Sequence, residues 1–144
     1  MSIVNSLPNR VQAVKGFDPQ ANTGAAISGD IIDRRGFNSA SVAFVRAVVT
    51  GSPSAATTAL VVQHGDASNL SDAATYATLA SALDIMLAGC EDFHLDLSGA
   101  KRYIRITEDA TYTGGTTPGN VKACVVTLGD KEANPPAAET VFGR

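Results

Sequence analysis

Apolar and polar residues alternate most regularly in the second half of the chain. In residues 92–97 (DFHLDL), Phe93, Leu95 and Leu97 alternate with Asp92, His94 and Asp96, which is the period of a half-buried β-strand. Residues 102–108 (RYIRITE) put Ile104 and Ile106 on one face, and residues 121–128 (VKACVVTL) form a further β-rich run that Gly129-Asp130 is expected to end. Residues 41–50 (SVAFVRAVVT) are apolar on both faces: Val42, Phe44 and Val48, interrupted by Arg46, on one, and Ala43, Val45, Ala47 and Val49 on the other. Such a strand is either covered on both faces or covered on one and docked to a partner on the other. The Gly51-Ser52-Pro53-Ser54 cluster leads into residues 58–64 (TALVVQH), so these two strands predict a hairpin. The expected core comprises Phe44, Val62, Phe93, Leu95, Ile104, Ile106 and Val125.

Residues 71–86 admit two readings. Ser71-Asp72 could cap a helix whose Tyr76, Leu79, Leu83 and Met86 recur at helical spacing, whereas Thr75 to Leu79 (TYATL) alternates like a strand. Residues 1–24 are polar and broken by Pro8, Gly16, Pro19 and Gly24, and predict an N-terminal arm or lead-in with one short edge-strand candidate at residues 11–14. Residues 25–130 form the domain, and residues 131–144, with Pro135-Pro136, a C-terminal tail. Strands every 10 to 20 residues, separated by Gly and Pro turns, predict an all-β fold. The expected architecture is an antiparallel β-sandwich, jelly-roll or Greek-key-like, with at most one short helix between residues 71 and 83.

Composition narrows the function. Ala, Gly, Ser and Thr make up 60 of 144 residues, which predicts a thin core between closely spaced walls. Aromatic residues are 6% and Trp is absent, so platforms for stacking bases or sugars are scarce. A net charge of −3 with scattered Lys and Arg argues against a nucleic-acid partner. No apolar run has the length of a membrane span, and the start lacks a secretion-signal pattern, so neither a membrane nor an oxidising compartment is expected. Cys90 and Cys124 are accordingly expected as free thiols, Cys124 inside a strand.

Several constellations invite a chemical reading. His64-Gly65-Asp66 and His94-Leu95-Asp96 could bind a metal if their strands were neighbours; otherwise they are solvent-facing polar positions. Gly65-Asp66-Ala67-Ser68 resembles the nucleophile block of lipase-like esterases, but Ala67 separates the aspartate from the serine and no strand-to-helix setting follows. The 114–119 loop is glycine-rich without the lysine and helix that cradling a phosphate requires. Asn69-Leu70-Ser71, a glycosylation-acceptor pattern, reads as a polar loop, and nothing brings Asp30, Asp33, Glu91 or Asp92 into catalytic pairs. Lys101, Arg102 and Arg105 form one basic cluster, in which Tyr103 and Arg105 share a strand face, as at many protein interfaces. The expectation is therefore no enzyme, no catalytic, cofactor-binding or metal-binding residues, and no cofactor.

Three stretches carry a resemblance. Asp33-Arg34-Arg35-Gly36-Phe37-Asn38-Ser39, the strand at 58–64 with Gly65-Asp66-Ala67-Ser68, and Leu95-Asp96-Leu97-Ser98-Gly99-Ala100-Lys101-Arg102-Tyr103-Ile104-Arg105-Ile106 resemble small structural proteins from the head-gene modules of tailed bacteriophages, over Ile27 to Leu128. The resemblance implies a virion component: a head decoration (cement) protein on the capsid exterior, made in the host cytoplasm, with the major capsid protein as partner. It also implies a homo-oligomer, with a trimer as one state. A tail- or fibre-associated protein, or a carbohydrate-binding sandwich on the virion surface, is the alternative.

Overall fold

The computed structural model of the protein describes residues 11–131. Nine strands follow one another: β1 (Gln12–Asn22), β2 (Ile27–Ser28), β3 (Ile32–Asp33), β4 (Phe37–Arg46), β5 (Ala55–Gly65), β6 (Ala74–Asp84), β7 (Gly89–Asp96), β8 (Tyr103–Thr113) and β9 (Asn120–Lys131). They form two antiparallel sheets, one in the order β1-β9-β4-β7 and the other in the order β2-β8-β5-β6 with β3 also on β8. The fold is an all-β sandwich, and no helix occurs among the described residues.

Alternation along the strands builds the core. Val42 and Phe44 on β4 lie opposite Val126 and Cys124 on β9, and all four are buried. From the other sheet, Leu60 and Val62 of β5 and Ile104 and Ile106 of β8 meet them, all four fully buried. Phe17 of β1 closes that layer against Phe44, with ring centroids 6.4 Å apart. Small residues line much of the remainder (Ala40, Ala56, Ala100 and Ala110 are buried), as expected of a thin core.

The structure corrects several expectations. Strands 41–50 and 58–64 do not make a hairpin: β4 pairs with β7 and β9, β5 pairs with β6 and β8, and the connection between them crosses from one sheet to the other. Of the two readings of residues 71–86 the strand holds: Ala74–Asp84 is β6. The register between β5 and β6 shifts three times, so the half-buried positions Tyr76, Ala77, Leu79, Ala80 and Leu83 depart from a strict period of two and imitate helical spacing. Within the expected N-terminal lead-in the edge-strand candidate at residues 11–14 extends much further: Gln12–Asn22 is β1, an edge strand whose Phe17 and Asn22 are buried. Its interruptions by Gly16 and Pro19 fall where the β1–β9 register shifts. Gly129 and Asp130 continue β9 instead of ending it, and Val125 faces outward at 42% exposure because Cys124 and Val126 take the inward positions. Phe93 is half-buried on the edge strand β7, while Leu95 and Leu97 beside it are buried. Residues 1–10 of the expected arm (1–24) and residues 132–144 of the expected tail (131–144) lie outside the described residues.

Candidate functional site

The three stretches behind the phage resemblance converge at one end of the sandwich. Arg34, in the turn before β4, donates to the carbonyls of Lys101 (3.0 Å) and Phe37 (3.1 Å) and to that of Ala100. Arg102 grips Asp33 at 2.9 Å, and the hydrogen bonds from its guanidinium hold the Asp33 carboxyl below the usual carboxylate range. Leu97 N–H reaches Asn38 O at 2.8 Å, and Lys101 N–H donates to His64 Nδ1 at 3.1 Å. Backbone groups at the end of an irregular loop need such partners. These motifs tie turns together.

The same contacts occupy the groups that invited a chemical reading. His64 packs tilted against the Tyr76 ring, with centroids 4.9 Å apart, and Asp66 pairs with Lys101 at 3.5 Å. The two H-x-D pairs sit in different sheets, and among the described residues no three His, Cys, Asp or Glu side chains are grouped to hold a metal. An open depression of about 640 Å³ lies over Ser39, Ser41, His94 and Thr127. There Ser41 Oγ donates to Asp92 Oδ1, and His94 Nε2 lies 3.9 Å from Asp92 Oδ2. The carboxylate stands between serine and imidazole, so the imidazole does not take the serine's proton, unlike a hydrolytic triad in which histidine takes the middle place. Of the basic cluster, Arg102 also lies over the Tyr103 ring at 5.0 Å, and Arg105 donates to Gln63 at 2.7 Å. The tyrosines are engaged as well: Tyr76 donates to Asp96 O at 2.6 Å, and Tyr112 to Asn22 O and Asn120 Oδ1.

Two features remain, one foreshadowed by the doubly apolar strand at residues 41–50 and one that no sequence pattern isolated. The first is the solvent face of the β1-β9-β4-β7 sheet. Val45, Val121 and Val125 are exposed on it, and Val45 lies opposite Ala123 on β9 and Cys90 on β7. Val48 and Leu87, beyond the end of β4, are also exposed, and Arg46 donates to Leu87 O at 3.0 Å. A sheet face of this composition is suited to cover by another protein.

The second is a buried polar cluster between the sheets. Lys122 on β9 and Glu108 on β8 take inward positions, and both side chains are wholly inaccessible to water. Lys122 Nζ meets Glu108 Oε1 at 2.5 Å, and Asn22 Nδ2 donates to Glu108 Oε2 at 2.8 Å. Thr58 Oγ1 also donates to Glu108, and the Tyr112 ring lies 5.6 Å from the Lys122 nitrogen. Asn22 Oδ1 in turn accepts from Gly24 N–H at 2.7 Å. Burial pushes the Lys122 amine down, against the opposing pull of Glu108, while burial and the Glu108 charge push the Tyr112 phenol up to about 12. Among the described residues, no buried side-chain nitrogen or oxygen is without a partner.

No family model matches the chain, and no curated protein matches it in sequence. Among solved structures it is similar to those of infectious bursal disease virus. For the Gx strain of that virus the TM-score is 0.58 at 12% identity, covering 90% of this chain and 34% of the other. For the VP2 subviral particle the TM-score is 0.58 at 13% identity, with the same coverage. For a VP2 point variant in T=1 particles the TM-score is 0.60 at 12% identity, covering 90% of this chain and 33% of the other. The chain spans about a third of the length of these relatives. At such identities the likeness is one of fold.

Proposed function

We propose that this protein is a non-enzymatic structural component of a virion, which acts by covering and clamping capsid subunits as a decoration protein. The observation that carries the reading is the apolar patch on the solvent face of the β1-β9-β4-β7 sheet, where Val45, Val121 and Val125 are each at least 42% exposed. Burying such a face against a neighbour gains roughly 25 cal/mol per Å² of apolar surface, and subunit separation must first break that contact. The kinship of fold with VP2 of infectious bursal disease virus, which forms subviral and T=1 particles, supports a place in a shell. In this reading the protein sits on the capsid exterior with the major capsid protein as partner, several copies associate, and residues 1–10 and 132–144 supply further contacts.

The test is co-sedimentation of purified protein with capsids that lack it. Wild-type protein should pellet with the particles, and Val45→Asp and Val125→Asp should remain in the supernatant while keeping the wild-type circular dichroism spectrum. Failure of the wild-type protein to bind overturns the decoration reading. Equal binding by the two aspartate variants overturns the assignment of the face.

A further inference from the structure

We propose that Lys122 and Asn22 become joined by an amide bond between Nζ and Cγ, with Glu108 as the catalytic residue. Nothing in this step depends on where the protein acts. Three observations carry it: one carboxylate holds both reacting groups, the electrophile is polarised by a backbone donor, and water is shut out.

Glu108 touches Lys122 Nζ through Oε1 and Asn22 Nδ2 through Oε2, so a single side chain contacts the nucleophile and the leaving group. Asn22 and Lys122 stand on adjacent strands. The register pairs Asn22 with Asn120 and Gln20 with Lys122, which makes the two residues diagonal neighbours on the inward face of the β1–β9 ladder. Diagonal positions are roughly 7–8 Å apart, within the span of a lysine side chain. The N–H of Gly24, 2.7 Å from Asn22 Oδ1, lies where negative charge develops on that oxygen during attack. The low-dielectric surroundings favour the neutral amine, the form that attacks.

The chemistry balances without an oxidant or co-reactant. Glu108 takes one proton from the Lys122 ammonium, and the freed Nζ lone pair attacks Cγ, moving the carbonyl electron pair onto Oδ1. The Glu108 acid passes its proton to Nδ2 and takes a second from Nζ. The carbonyl re-forms, the Cγ–Nδ2 bond breaks, and ammonia leaves. An ammonium, a carboxylate and a primary amide become a secondary amide, a neutral carboxylic acid and ammonia. The step thus removes both charges from a site where charge is costly, replacing a buried ion pair with a hydrogen-bonded amide and acid. Fixing the reactants in one site is worth an effective molarity on the order of 10⁵–10⁸ M when they are well aligned.

The experiment is the intact mass of the full-length protein under denaturing conditions, compared with a Glu108→Gln variant. The wild-type protein should be lighter than its sequence requires by one ammonia. Trypsin should then release a single species joining residues 16–34 to residues 106–131, with Lys122 uncleaved. Glu108→Gln, of nearly the same shape, should show the full mass and separate peptides. A wild-type mass that stays at the sequence value after prolonged incubation of the folded protein overturns the proposal. So does a mass deficit without the joined peptide, which would place the ammonia loss at another asparagine. A joined peptide in Glu108→Gln would overturn the role of Glu108.

Discussion

Truncation of Phe44 to alanine tests the face assignment on which the sandwich rests. Phe44 is fully buried on β4, lies opposite Cys124 of β9, and packs its ring at 58° to that of Phe17, 6.4 Å away. Removing the ring deletes most of the buried apolar surface of a phenylalanine and leaves a cavity that the small Cys124 opposite it cannot fill. Substitutions of this kind cost about 3–5 kcal/mol. Of that, roughly 0.5–1.5 kcal/mol belongs to the tilted contact with Phe17. For a domain of this size the midpoint should fall by about 10–20 °C. Thermal unfolding followed by circular dichroism reads the shift, and Val45→Ala serves as the control. Val45 is the next residue on the same strand and is 47% exposed, so its truncation should stay within about 0.5 kcal/mol of wild type. A Phe44→Ala midpoint within about 2 °C of wild type would refute the reasoning, as would an equal loss in Val45→Ala.

Further outcomes follow from particular contacts. In the native protein a maleimide should label Cys90, which is exposed, and spare Cys124, whose burial pushes its thiol up to about 12; both should react in denaturant, as mass spectrometry can count. The Asp33 carboxyl is depressed by Arg102, so its contribution to stability is present above the unfolded pKa and is lost as pH falls through the folded one. Asp33→Asn should therefore be less stable than wild type near neutrality, and urea titrations should show the difference closing below about pH 4. Gly51→Ala should destabilise by more than about 1 kcal/mol in the same titrations, because φ is +81° and a Cβ would lie 2.5 Å from Thr116 O.

What the sequence disclosed, and what it hid, follows from the physics of each strand. Residues 92–97 were legible because β7 is an edge strand with one wet face, so its polar and apolar positions separate cleanly. The inward face of β9 was misread because its two parities are almost equally apolar: Val121, Ala123 and Val125 against Cys124, Val126 and Leu128, with a lysine among the latter. Lys122 argues for the solvent when its strand is read alone. Its counter-charge Glu108 belongs to a strand of the opposite sheet, and no local pattern reports that pairing. The polar cluster was invisible for the same reason, since Asn22, Thr58, Glu108 and Lys122 come from four different strands. A charged residue at an inward parity on each of two strands, Glu108 after Ile104 and Ile106, and Lys122 before Cys124 and Val126, is the signal that could have revealed it.

The pairing of β1 with β9 has a mechanical consequence. Gln12 lies opposite Leu128 and Asn22 opposite Asn120, so the described chain enters and leaves at the same end of one ladder. Tension applied between the two ends would not shear the strands along their length, with all the hydrogen bonds resisting together. It would peel β1 from β9 one rung at a time, beginning at Gln12, each rung meeting the load in its turn. The Asn22–Glu108–Lys122 cluster stands at the far end of that path, where the peeling front arrives last. Whatever strength the cluster has therefore acts as a terminal stop, deciding whether a stretched molecule opens fully or only lets out its first strand.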